Sequence, residues 1–152
     1  MRPRRIALAY DDTLQSCPGV APTHDDIRST VADVARALES RGHEVVWMPV
    51  TSPRSVHAAL ARLGPDVVFN MVEGLDGDSQ AEAEVARELE RAGAAFTGCQ
   101  AGAIELGLDK ARSKEFLAGW GLPVPRGRVM DAQGPAEGLR FPQIVKCLPA
   151  DA

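Results

Sequence analysis

Cysteine is scarce in this sequence of 152 residues: Cys17, Cys99 and Cys147 are few, odd in number and far apart. Such usage builds no disulfide framework and suits a reducing compartment, so a cytoplasmic location is expected. Long hydrophobic runs are also lacking. None approaches the roughly 20 apolar residues that cross a bilayer, and no membrane partner is expected. Neither sign of charge dominates: 17 Lys and Arg stand against 21 Asp and Glu, a net charge of -4. That balance gives no reason to expect a nucleic-acid partner, and the basic start (Arg2, Arg4, Arg5) is short enough to be a solvated end. Only a short apolar run follows it, without a small-residue cleavage pattern, so no signal peptide is expected. The loop from Asp11 to Thr23 contains neither G-x-G-x-x-G nor G-x-x-x-x-G-K-[ST]. The usual dinucleotide fingerprint and the P-loop are therefore unsupported. His24, His43 and His57 lack metal-ligand spacing. The cysteines have no evident base partner, so no nucleophilic triad is arguable. There is no internal repeat and no low-complexity tract.

What is present is the composition of a soluble globular protein, 45% hydrophobic and 25% charged, at a length that suits one compact domain. Ile6–Tyr10 reads as a first strand. Thr23-His24-Asp25-Asp26 has capping-box-like spacing, and Ile27, Val31, Val34 and Leu38 recur at helical intervals up to a stop at Gly42. His43–Val50 reads as a second strand. Ser52-Pro53 predicts a helix start, with Val56, Leu60 and Leu63 on one face and Gly64-Pro65 at its end. Val67–Phe69 is a short β-branched run ending at Asn70 and reads as a buried strand. A polar, glycine-punctuated loop follows, Glu73-Gly74-Leu75-Asp76-Gly77-Asp78. A helix from near Ser79 to Gly93 and a strand over Ala94–Thr97 come next. Strands separated by helices require crossovers, hence a parallel sheet with helices on its faces, an α/β fold. Beyond Gly98 the pattern predicts short helices over Ala101–Leu106 and Asp109–Ala118. An extended linker follows at Gly121–Pro125, then a short strand at Arg128–Met130, a loop over Asp131–Gly138 and a strand over Phe141–Lys146.

In open α/β sheets ligands bind beyond the carboxyl ends of the strands, the place held here by the Glu73–Asp78 loop. Such loops also simply turn strand into helix, and their acids favour the positive start of the next helix. Asp11 and Asp12 after the first strand match the acidic pair of phosphate-receiver domains. That reading needs an aspartate where Asn70 stands. Lys110 and Lys146 are flexible cations able to hold phosphate oxygens, although most lysines only solvate a surface. Lys114 is expected on a helix surface, and Trp47 and Trp120 are expected to pack.

Two stretches carry a family resemblance: VFNMVEGLDGDSQAEAEVARELERAGAAFTG and LDKARSKEFLAGWGLPVPRG. A strand ending in Phe-Asn, a Gly-x-x-Gly loop, a helix, a strand ending Thr-Gly, Asp-Lys-x-x-x-Lys and Gly-Leu-Pro-x-Pro follow in order. This resembles the D-alanine–D-alanine ligase-like group of ATP-grasp enzymes. The resemblance implies a Rossmann-like N-terminal (pre-ATP-grasp) domain over residues 1–98, a helical linker over 99–127 and the start of an ATP-grasp domain over 128–152. It implies nucleotide contacts for Lys110 in Asp109-Lys110-Ala111-Arg112-Ser113-Lys114 and for Lys146 in Phe141-Pro142-Gln143-Ile144-Val145-Lys146. It places Glu73 and Gly74 beside a substrate pocket that takes a small amino acid or peptide-like molecule. The chain departs from the family where ligases have His at the Glu73 position and Glu-His-Glu-Val-Ser near Thr23–Ile27. Asp25 and Asp26 stand roughly at that place, Asp26 as the candidate to meet a substrate ammonium, with helix capping as the alternative role. ATP and magnesium are implied for a full-length enzyme. Its magnesium ligands, oxyanion-stabilising arginine and phosphate-covering loop lie in later segments absent from these 152 residues. No catalytic or metal-ligating residue is assigned, and the chain by itself is expected to be inactive. The competing expectation is a non-catalytic binding module that pairs with a separate ATP-grasp half; the resemblance to the ligases, often dimers, implies a homodimer.

Overall fold

A computed structural model describes residues 2–13, 23–130 and 144, with the backbone alone at 23–26. The elements are β1 (Arg5–Asp11), α1 (Thr23–Glu39), β2 (Glu44–Val50), α2 (Ser55–Leu63), β3 (Val67–Asn70), α3 (Gln80–Arg91), α4 (Ala101–Leu108) and α5 (Lys110–Gly119). The chain divides into two compact units, Met1–Ile104 and Glu105–Ala152. The strands form a parallel three-stranded sheet in the order β2-β1-β3.

β1 is central, and six of its seven residues are buried. Strand side chains alternate between faces. Ile6, Leu8 and Tyr10 therefore meet Val31 and Ala35 of α1, with Ile27, Val34 and Leu38 closing around them. Ala7 and Ala9 face the other way, into a cluster of Met48, Val50, Val56, Val68, Val85 and Leu89. That cluster packs α2 and α3 on the second face. A strand covered on both sides reads as an unbroken apolar run, as this one does.

β2 is the edge of the sheet among the described residues, and it contains Pro49 opposite Tyr10. The Glu44 N–H donates to Arg4 (2.9 Å) and the Val50 carbonyl accepts from Asp12 (3.1 Å), so even-numbered residues of β2 face β1. Pro49 falls on the outward side, where its missing N–H costs no ladder bond.

Three local expectations change. The helix expected from Ser52-Pro53 begins at Ser55, because the Ser52 carbonyl rather than its hydroxyl is used, accepting from Ser55 N (3.0 Å) and Ser55 Oγ (2.7 Å). Residues Ala94–Thr97 form a single parallel bridge, Val68 with Phe96, rather than a strand. Gly93 (φ 65°) and Gly98 (φ 104°) turn the chain at either end and leave too few residues to extend the ladder. Arg128–Met130 is exposed and not a strand. Asp131–Gly138 and the strand expected over Phe141–Lys146 lie outside the described residues, apart from Ile144.

In the second unit, Asp109 caps α5 by accepting from the N–H groups of Ala111 (3.0 Å) and Arg112 (2.9 Å). Trp120, expected to pack, is 74% exposed, its ring tilted against Phe116 with centroids 6.3 Å apart. Trp47 is 42% exposed and meets Tyr10 edge-on at 5.7 Å.

Candidate functional site

The carboxyl ends of β1 and β3 open into a cleft of about 620 Å³. Its walls include Asp11 from β1, Asn70 and Met71 from the end of β3, and Ile27 and Thr30 from α1; Glu73, Gly74, Gly77 and Ser79 close the rim. The position follows from the topology, since parallel strands deliver all their carboxyl ends to one edge.

The rim loop is built in two steps. Val72 and Leu75 are buried and anchor it to the core. Leu75 and Asp78 then exchange backbone hydrogen bonds of 3.1 and 2.9 Å across Asp76-Gly77. Asp76 (φ 52°) and Gly77 (φ 81°) both have positive φ, the requirement of a tight I′-type hairpin turn and the reason for Asp-Gly there. At Gly74 (φ 151°) a Cβ would stand 2.8 Å from the carbonyl oxygen of Asp78, so only glycine lets the loop close. The Asp78 carboxylate accepts from Gln80 N (2.8 Å), doing the capping that Ser79 does not do.

A side-chain bridge ties this loop to β1. Thr13 Oγ1 donates to Asp11 Oδ1 (2.6 Å) and accepts from the N–H of Asp76 (2.6 Å), 63 residues further along. Thr13 N also donates to Asp11 Oδ1 (2.7 Å). Asn70 closes the other side, its side-chain oxygen accepting from Val72 N (3.3 Å) and its N–H donating to Thr97 Oγ1 (3.1 Å).

The cleft is acidic. Glu82, in the first turn of α3, has its carboxyl pushed above the usual range by burial and then by the neighbouring Glu73 charge. The helix dipole favours a negative charge at that position, and burial outweighs it. The raised value means that the fold disfavours ionised Glu82. The penalty is absent below the ordinary glutamate range, grows as pH rises through it and is present in full once folded Glu82 is ionised. Glu82→Gln is therefore expected to raise the urea midpoint at pH 7 and to leave it unchanged at pH 4. A shift that is the same at both would show that the charge is not the cause.

The site residues expected from sequence are placed as follows. Glu73 and Gly74 line the cleft. Asp26 lies in the first turn of α1, one position before the lining residue Ile27. Lys110 is the first residue of α5 and is exposed, in the second unit. Asp109 occupies the N–H groups of Ala111 and Arg112 in the first turn of that helix. Lys114, expected on a helix surface, lies on α5 and is half-buried, its Nζ 2.8 Å from where a Cβ on Gly127 would stand. Lys146 lies outside the described residues. Nothing in the sequence pattern marks Asp11 and Thr13 as cleft residues. Their link to Asp76 is a long-range contact without a local sequence signal. Among the described residues, no group of three or more His, Cys, Asp or Glu is placed to hold a metal ion.

Fold and cleft define an α/β protein with a small-molecule-sized cavity at the carboxyl edge of a parallel sheet. No family model matches the chain. Curated relatives do. It is 34% identical over 124 residues to a D-alanine–D-alanine ligase of Azorhizobium caulinodans, covering 82% of this chain and 39% of that protein. It is 39% identical over 113 residues to one from a Caulobacter species, covering 74% and 34%. A third, from Erythrobacter litoralis, is 34% identical over 100 residues, covering 66% and 29%. The chain is thus D-alanine–D-alanine ligase-like over most of its length, and it spans about a third of the length of these relatives.

Proposed function

We propose that this chain is the N-terminal part of an ATP-dependent carboxylate–amine ligase that joins small amino acids or peptide-like substrates in the cytoplasm. The observation that carries the reading is the cleft at the strand ends: its rim residues Glu73 and Gly74 belong to the same stretch that resembles the ligases. Residues 1–98 form the pre-ATP-grasp domain, 99–127 the linker and 128–152 the start of the ATP-grasp domain. Lys110 and Lys146 hold nucleotide phosphates. ATP with magnesium supplies the phosphoryl group that activates a carboxylate for attack by an amine. Phosphoryl transfer depends on charge neutralisation and positioning, which two lysines do not provide alone. The chain of 152 residues is therefore inactive until completed, either by its own continuation or by a separate ATP-grasp half, and the completed protein works as a homodimer.

The test begins with an antibody against Met1–Gly98 and the native protein of the source. A species larger than 16.2 kDa is expected. With ATP, magnesium and D-alanine it should release phosphate, and Lys110→Ala should slow that release on the order of 100-fold. A native species of 16.2 kDa with no completing partner and no turnover would leave a binding module and overturn the ligase reading.

A further inference from the structure

Asp11 is the buried charged residue of the described chain, with 7% of its surface exposed. Burying a carboxylate is costly unless its oxygens find donors. Oδ1 finds two, the N–H and the hydroxyl of Thr13. Oδ2 receives no hydrogen bond from any described residue, and Asp11 lines the cleft. The other charged residue among the described lining, Glu73, is also an acid, and no Lys, Arg or His is among the described lining residues. Asp12, next in sequence, is already paired with Arg28 at 2.6 Å. A phosphate or carboxylate entering here would face these two acids, with no cation among the described lining residues. A cation with N–H donors would gain a charge-assisted hydrogen bond and offset the burial of Asp11.

We propose that Asp11 is a specificity-determining residue of the cleft, its Oδ2 accepting a hydrogen bond from the ammonium group of the ligand. The proposal rests on the reading of the cleft as an amino-acid site, and it moves the ammonium contact from Asp26, where the resemblance puts it, to the end of β1. Thr13 holds the Asp11 carboxylate in place from the opposite oxygen.

Asp11→Asn separates the possibilities, because its carbonyl oxygen can keep both Thr13 bonds while an NH2 donor replaces Oδ2. Amide signals of the 152-residue protein are followed by NMR during titration with ethylammonium, D-alanine and propionate. Ethylammonium and D-alanine should move the Thr13, Asn70 and Asp76 signals saturably, and propionate should not. Asp11→Asn should weaken both responses by about tenfold or more, and Asp26→Asn should leave them within about twofold. The 13C signal of the Asp11 side-chain carboxylate should move with ethylammonium in the unsubstituted protein, which decides the matter if the variant fails to fold. Saturation by ethylammonium but not by D-alanine supports Asp11 and counts against the amino-acid reading. D-alanine binding that Asp26→Asn abolishes and Asp11→Asn spares keeps that reading and overturns the Asp11 proposal. Equal binding of propionate, or no response to ethylammonium, overturns it as well.

Discussion

Gly74→Ala is expected to destabilise the protein by about 3 kcal/mol, the cost of a strained backbone together with a steric overlap. Two observations combine at this residue. Its φ of 151° is a conformation that side chains rarely adopt, and the added Cβ would lie 2.8 Å from the Asp78 carbonyl oxygen. Neither the Asp78 carbonyl nor its neighbours can swing aside as a flexible side chain would. Relief requires moving Asp78, which breaks its exchange of hydrogen bonds with Leu75 and shifts the rim of the cleft. Gly77→Ala is the control. Its φ is 81°, yet nothing lies within 4 Å of the added Cβ, so only the left-handed backbone is penalised, at about 1 kcal/mol. Urea unfolding of both variants distinguishes them. Equal losses would show that the overlap at Gly74 is relieved without cost and that the loop is looser than its geometry implies.

Leu8→Ala should cost more, about 3–5 kcal/mol, as a cavity in a fully buried site that cannot collapse. Leu8 has no exposed surface and lies mid-strand on the central strand. Its face is closed by α1 through Val31 and Ala35. Flanking strands pin the backbone on both sides, so neighbours cannot move in to fill the void. Small domains hold roughly 5–15 kcal/mol in total, so this single change removes a large share of it. The expected result is a much lower urea midpoint with an unchanged slope. A loss under about 1 kcal/mol would mean that α1 does not cover this face as described.

Most elements of the first unit were legible because their signals are local. The buried run Ile6–Tyr10, the helical spacing of Ile27, Val31, Val34 and Leu38, and the glycine stops each act within a few residues. Where local signals compete, reading failed. Ser52-Pro53 has the composition of a helix start, but the Ser52 carbonyl is drawn into a turn with Ser55 before the helix begins. Ala94–Thr97 has strand composition, but one bridging residue is all that the two flanking glycine turns allow. For the cleft, Glu73 and Gly74 were readable from a glycine-punctuated loop after a buried strand. The Asp11–Thr13–Asp76 bridge was not, because a threonine hydroxyl with two partners looks like any other surface threonine until the fold brings residue 76 to it.

Pro49 has a consequence for how copies of this protein meet. A bare strand margin is a template on which a second chain can lay its own backbone, the usual route to runaway assembly. On the outward side of β2, Val45 and Trp47 can offer an N–H, and at the next such position Pro49 offers none. An incoming strand would lose its register bond at the end nearest the cleft. Among the described strands the outer margin of the sheet thus lacks one of the N–H groups that an added strand would need.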